Sequence, residues 1–273
     1  MQTDLAASAT KTETLLHAAG LSKRYLRGRW LACTRARVQA LHNVELTLRA
    51  GSTLALIGAS GSGKSTLARC LACLEKADAG EIWFGGNNLV MLTNRELVPF
   101  RRQIQLIFQD PAGSLNPRLT AVEIISEPLL IGGTGRKERC VRALELMELV
   151  GLPAEWGRRY PWEFSGGQRR RLAIARALAL EPKVLILDET LTGLDLSIQA
   201  QISNLLVQLQ VERSLSYLLI SHDLGLIAHL ADEVAVLHDG RIEETAPTRE
   251  WLRNARSLRG AETRLACFAG GGQ

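Results

Sequence analysis

With 273 residues, 46% of them apolar and 22% charged, the chain can bury one large α/β core with room for an inserted subdomain, and its balance is that of an ordinary globular protein. The net charge of +5 is too mild to argue for a nucleic-acid partner. The longest apolar runs, such as Val184 to Leu187 and Tyr217 to Ile220, fall far short of the roughly 20 residues a membrane helix needs, and the N-terminus lacks a signal peptide's apolar segment, so a cytosolic chain is expected.

Residues 1–13 are polar and small, and read as a disordered leader. A first strand is expected over Thr14 to Leu21. Lys23, Arg24 and Tyr25 then enter a segment reaching Arg37 that holds six basic residues and no acid, a solvated loop in preference to an electrostatic contact. Tyr25 fits either a flat face for stacking on a base or a partly buried strand-end tyrosine. Val38 to Leu48 alternates weakly as a strand, Ala50-Gly51 turns, and Ser52 to Ile57 is short and apolar enough for a buried strand.

Gly58-Ala59-Ser60-Gly61-Ser62-Gly63-Lys64-Ser65 follows at once and fits the phosphate-binding pattern G-x-x-x-x-G-K-[ST] at every required position. Behind it, Ser65 to Leu74 has helical spacing with Leu67, Leu71 and Leu74 on one side, so the loop joins a strand to a helix. Glycines let successive backbone N–H groups turn inward on the β- and γ-phosphates, the helix start adds partial positive charge, and Lys64 supplies a full one. Ser65 is placed to ligate Mg²⁺. Five cysteines stand at 33, 70, 73, 140 and 267; Cys70 and Cys73 share the helix, but no second pair completes a metal site, and all read as small, buried, reduced residues.

Glu81 to Phe84 is another short strand, and its closeness to the first ones suggests a small antiparallel sheet beside the main one. Thr93 to Glu96 offers a helix start, Ile104 to Phe108 a strand, and Asp110 to Arg118 a loop rich in Pro, Gly and Asn. Thr120 to Ile131 and Arg136 to Val150 are helical, the second with Cys140, Ala143, Leu144, Met147 and Val150 down one face. About 115–164 therefore reads as a helical insertion in the α/β core. The core resumes with a helix from Gly166 to Leu180, a strand over Lys183 to Leu187, a helix over Ser197 to Glu212, a strand over Tyr217 to Ile220, a short helix from Leu224, and strands at Glu233 to Leu237 and Arg241 to Glu244. Such alternation predicts a mainly parallel sheet. The tail, 248–273, has little apolar periodicity and is expected to give one short helix and then disorder.

A second group of residues carries chemistry. Val184 to Leu187 ends in Asp188 and Glu189, as a buried strand does when it delivers acids to the C-terminal edge of a parallel sheet; the first suits Mg²⁺ and the second an attacking water. His222, after the strand Tyr217 to Ile220, could reach a γ-phosphate or be structural, and Gln109, after Ile104 to Phe108, has an amide able to bind metal or water. Ser165 caps a helix whose start, Gly166-Gly167-Gln168, exposes backbone N–H groups as a phosphate site does. The stretch is either simply a well-capped helix or a second phosphate site in a chain with one phosphate loop, and the latter implies a nucleotide held by another copy.

Together these residues resemble the ATP-binding subunits of ABC transporters, over roughly Leu15 to Pro247. GASGSGKS, the Gln109 loop (FQDP), the signature FSGGQ, VLILDE, Leu194-Asp195 and Ser221-His222 occur in the family's order. The resemblance implies a P-loop NTPase fold of ABC type, with a mainly parallel core sheet, a small antiparallel β subdomain and an inserted helical subdomain. It implies ATP and Mg²⁺ as cofactors, Glu189, His222 and Gln109 as catalytic, and Ser65, Gln109 and Asp188 at the metal. Tyr25 would stack on adenine; Gly58 to Ser65 and Thr66 would hold the nucleotide; Ser165, Gly166, Gly167 and Gln168 would contact a partner's γ-phosphate, with Asp195 at the interface. QDPAGSLNPRLTAVEIISEPL and YPWEFSGGQRRRLAIARALALEPK look like the importers of dipeptides, oligopeptides and nickel. A second ATP-binding subunit, integral membrane permease subunits and, indirectly, an extracytoplasmic solute-binding protein follow as partners, at the cytoplasmic face of the cell membrane. The rival is an ABC ATPase serving a soluble enzyme complex such as a phosphonate-cleaving one. Two departures stand out: Thr190 occupies the place where proline usually follows the catalytic Glu, and the chain stops soon after Pro247 without the C-terminal extension common in those importers.

Overall fold

A computed structural model describes residues 13–27, 36–109 and 111–255. In chain order its strands are β1 (Thr14–Arg27), β2 (Ala36–Arg49), β3 (Thr53–Ile57), β4 (Ala79–Phe84), β5 (Asn87–Asn88), β6 (Ile104–Ile107), β7 (Val184–Asp188), β8 (Ser216–Ile220), β9 (Glu233–His238) and β10 (Arg241–Pro247). Its helices are α1 (Lys64–Leu71), α2 (Val98–Gln103), α3 (Pro111–Ser114), α4 (Ala121–Ile131), α5 (Arg136–Leu149), α6 (Gly166–Leu178), α7 (Leu196–Arg213), α8 (Leu224–Leu230) and α9 (Thr248–Ala255). Contacts divide the chain into two compact units, one built from the segments up to Arg101 and from Ser216 onward, the other from Arg102–Leu215.

In the first unit β3 is buried along its whole length and pairs in parallel with β8 and β9, while β10 closes antiparallel on β9. A separate antiparallel sheet runs in the order β2-β1-β4-β5, as the short strands predict. The described parts of the basic segment after Lys23 are strand and not loop: β1 continues to Arg27 and β2 begins at Ala36, with Tyr25 paired to Val38. Extended pairing satisfies the backbone there. Residues 28–35, and with them Cys33, lie outside the described residues, as do the leader up to residue 12 and residues 256–273 with Cys267.

Helix α1 buries Leu67 and Leu71 but ends before the predicted Leu74, which is 53% exposed. The cause is Cys73, whose φ of +56° takes the chain out of helical geometry. Thr93 and Glu96 do exchange capping bonds, Thr93 N donating to Glu96 Oε2 at 2.8 Å, but a turn follows and α2 begins only at Val98. The described part of the tail is one short helix, α9, in which Trp251 is fully buried, packed with Ala55, Ile57, Ile227, Val234 and Val236. One tryptophan of this size anchors a short helix without needing a repeating apolar pattern.

In the second unit β6 and β7 run parallel in the register Ile104↔Val184 to Ile107↔Leu187. Helix α4 starts where Glu123 Oε2 accepts from the amide and hydroxyl of Thr120, both at 2.8 Å, which holds the Glu123 carboxyl below its ordinary range. Helix α5 buries Ala143, Leu146 and Met147, and Arg176 of α6 pairs with Glu127 of α4 at 2.8 Å. Between α5 and α6 come single turns at Ala154–Arg158 and Pro161–Glu163, so the expected helical insertion is a helical layer. Parallel strands, a separate antiparallel sheet and this layer agree with the expected fold class.

Candidate nucleotide site

The loop between β3 and α1 is shaped by backbone that crowds it. Gly63 has φ +108°, and a Cβ there would collide with the carbonyl oxygen of Ala40, so only glycine fits. Gly240 N donates to Ser62 O at 3.0 Å, and Ser62 N to Ala59 O at 3.2 Å, which closes the loop on itself. Lys64 Nζ folds back to donate to Gly58 O and Ala59 O, both at 2.8 Å, so the ammonium lies across the loop. A Cβ on Gly61 would meet nothing within 4 Å, which leaves the loop's outer face open. The Ser62 hydroxyl is buried and has no hydrogen-bond partner, and the first turn of α1 contains no acid. An open loop, a fixed ammonium, an unsatisfied hydroxyl and a helix start fit an anionic phosphate chain.

Around the loop, Tyr25 lies beside α1: its hydroxyl is 3.4 Å from Thr66 Oγ1, and Lys23 Nζ is 5.6 Å from the centre of its ring. Ser65 is half-buried at the first turn. His222 is exposed just past β8, and because β3 and β8 pair in parallel with Leu56 opposite Ile220, it leaves the sheet at the same edge as the loop. Its neighbour Asp223 accepts from Gly225 N and Leu226 N at 2.8 and 3.0 Å and so caps α8. Cys70 and Cys73 are both buried, and burial pushes their thiols up to about 12 and about 11. They are packing residues, and no cluster of metal-ligating side chains occurs among the described residues.

In the second unit, the β6–β7 register places Gln109 and Glu189 two residues beyond the paired Ile107 and Leu187. There Gln109 Nε2 donates to Glu189 Oε2 at 2.7 Å. Asp188 is buried at the end of β7. Glu189 has φ +46°, so the chain turns sharply as it leaves the strand, and Thr190, 1% exposed, donates its hydroxyl to Ile107 O at 3.2 Å. Arg170 Nη2 donates to Thr192 O at 2.6 Å, tying the following turn to α6. The hydroxyl of Thr190 is visible in the sequence only as a polar residue after the acidic pair; its partner is not.

The start of α6 is doubly capped: Ser165 Oγ accepts from Gln168 N at 3.3 Å, and Gln168 Oε1 from Ser165 N at 2.9 Å. Gly166 is exposed, as expected, but Gly167 is buried against Ile198 of α7, where a Cβ would collide with that side chain. Its glycine therefore answers to packing as well as to backbone exposure. Arg169 Nε donates to Pro161 O at 2.9 Å, and Trp156 packs on Phe164, which fixes the approach to the helix. Asp195 caps α7 through a 2.9 Å bond from Ile198 N.

The model of the ABC transporter family matches residues 41–192. The dipeptide transport ATP-binding protein DppF of Haemophilus influenzae is 45% identical over 241 residues, covering 88% of this chain and 74% of that protein. The oligopeptide transport ATP-binding protein OppF of Bacillus subtilis is 44% identical over 246 residues, or 89% of this chain and 79% of its own length. Among solved structures, a dimeric ATP-binding cassette in a post-hydrolysis state, bound to ADP and Pi, superposes with a TM-score of 0.77 at 31% identity, over 86% of this chain and 99% of that one.

Proposed function

This chain belongs to the ABC transporter family and is one of its ATPases, and on that premise we propose that two such subunits close around two ATP molecules and power import of peptides, nickel or a related solute through separate membrane subunits. The observation that carries the dimer reading is the start of α6, a rigidly capped helix N-terminus with Gly166 exposed, in a chain with a single phosphate loop. The solved cassette that resembles the chain is dimeric, which supports it.

Lys64 and the backbone of Gly58 to Ser65 hold the β- and γ-phosphates, with Thr66 beside them; Tyr25 stacks on the base. Ser65, Gln109 and Asp188 are the residues that would hold Mg²⁺, which would supply neutralisation of charge developing on the phosphates. Glu189 takes the proton of the attacking water. Gln109 Nε2 donates to Oε2 of that carboxylate, which would orient Oε1 toward the water. His222 contacts the γ-phosphate, and Ser165, Gly166, Gly167 and Gln168 contact the γ-phosphate held by the partner, with Asp195 at the interface. Closure is driven only by what ATP binds more tightly in the closed state than in the open one: about 5.5 kcal/mol takes the equilibrium from 1:99 to 99:1.

No described helix is long and apolar enough to cross a membrane. In this reading integral membrane permease subunits carry the solute, this chain sits on them at the cytoplasmic face, and a solute-binding protein feeds them from outside. Exposed Leu130, Ile131 and Val141 on α4 and α5 give those membrane subunits an apolar seat. Peptide cargo is favoured by the dipeptide and oligopeptide transport relatives. The test is to identify the proteins that purify with the chain and then screen peptides and Ni²⁺ for stimulation of ATP turnover in the reconstituted complex. Permease subunits and stimulation are expected; a soluble enzyme complex in their place refutes transport.

A further inference from the structure

We infer that Thr190 is a positioning residue for hydrolysis: its hydroxyl holds the end of β6, and through it Gln109, in reach of Glu189. The ladder between β6 and β7 ends at the pair Ile107↔Leu187, and beyond it two side-chain bonds continue the connection. One is Thr190 Oγ1 to Ile107 O at 3.2 Å, the other Gln109 Nε2 to Glu189 Oε2 at 2.7 Å. The two bonds cross in opposite directions between the same pair of strand ends, so each restrains the other.

The need for a restraint is local. Glu189 has φ +46°, a left-handed conformation that a β-carbon disfavours, and Gln109 is an exposed residue on a loop. Without a tie, both groups would sample positions in which the amide misses the carboxylate, and the carboxylate would lose the orientation that keeps one oxygen facing the water. Thr190 supplies the tie from inside the protein, where its hydroxyl is shielded from competition by solvent. A proline at this place, with neither hydroxyl nor N–H, could not form this bond.

This inference rests on the roles proposed for Glu189 and Gln109. The test measures ATP turnover by the full chain, with its co-purified subunits, for Thr190→Val, Thr190→Ser, Gln109→Ala and the double variant Thr190→Val/Gln109→Ala. Thr190→Val is expected to lower kcat about five-fold, the worth of a single hydrogen bond, with the KM for ATP unchanged. Thr190→Ser, which keeps the hydroxyl, is expected to restore most of that loss. In the Gln109→Ala background the valine substitution should cost nothing more, because its effect passes through Gln109. Wild-type turnover by Thr190→Val, or the same fractional loss with and without Gln109, overturns the inference. If the valine variant does not fold, Thr190→Ala measured against Thr190→Ser carries the same comparison. Glu189→Gln separates the two levels: its normal turnover would remove the assigned base, whereas an inactive Glu189→Gln beside an unaffected Thr190→Val removes only the role of Thr190.

Discussion

Gln109 donates its side-chain amide to the Glu189 carboxylate at 2.7 Å, from positions equally far past the last paired residues of two parallel strands. If Glu189 is the base, Glu189→Gln keeps the shape and loses the proton acceptor. Turnover should fall by at least about a hundred-fold while ATP still binds, and an ATP-bound dimer should accumulate on size exclusion. Unchanged turnover would sink the assignment.

Lys64 spans the phosphate loop by bonds to two carbonyls, so its ammonium sits where phosphate charge is expected. Lys64→Ala should weaken ATP binding by about 1.5–3 kcal/mol, the range for a hydrogen bond to a charged group, with little change in thermal midpoint without nucleotide. Calorimetric titration with ATP checks both the loss and its size.

Gly167 separates packing from phosphate contact at the start of α6. Gly167→Ala pushes a methyl into Ile198 and should destabilise the fold by about 1–3 kcal/mol, a cost that Ile198→Ala in the same chain relieves. Ser165→Ala, by contrast, loses a cap worth about 0.5–2 kcal/mol and should lower turnover of the dimer while ATP binding by dilute chains stays intact. A parallel loss of binding in dilute chains would argue against a site completed by the partner.

The two buried cysteines make stability fall in alkali. Their thiols ionise near the ordinary 9.0 in the unfolded chain but only at about 12 and about 11 when folded. The folded state therefore keeps protons that the unfolded state has lost, and the contribution is whole below pH 9 and declines as pH rises toward the folded values. Urea midpoints measured from pH 8 to 10.5 should drop in the wild type, and the slope should flatten in Cys70→Ala/Cys73→Ala. Equal slopes would show that the decline comes from other groups.

Trp251 fills the core of the first unit from the last described helix. Trp251→Ala should cost about 3–5 kcal/mol, read by denaturant unfolding, and a chain ending at Pro247 should lose at least as much.

Motifs whose chemistry lies in local order are legible in the sequence: the strand-loop-helix around Lys64, the capped start at Ser165, and the acids closing β7 all stand where residue types and spacing put them. The long helices α5 and α7 also fell within a residue or two of expectation. What escaped was decided by partners distant in sequence. Strand β1 continues through a basic stretch because β2 is there to pair with it. Gly167 packs against Ile198, and Trp251 is buried because β3 and β9 leave a space for it. Periodicity records only what a segment does by itself, and none of these residues is held by its own segment.

Ala40 is pinched between two glycines: a β-carbon on either Gly63 or Gly240 would press on its carbonyl oxygen, and Gly240 also binds Ser62 through its amide. The phosphate loop thus takes its shape from strand β2 before it and a hairpin turn nearly two hundred residues after it. During synthesis the whole of Arg102–Leu215 emerges between those pieces and forms a compact unit of its own. The ribosome must therefore have released the β9–β10 hairpin before the loop can set. Nucleotide capture therefore waits for that hairpin, and ATP retention by stalled chains should begin only after Gly240 has cleared the exit tunnel.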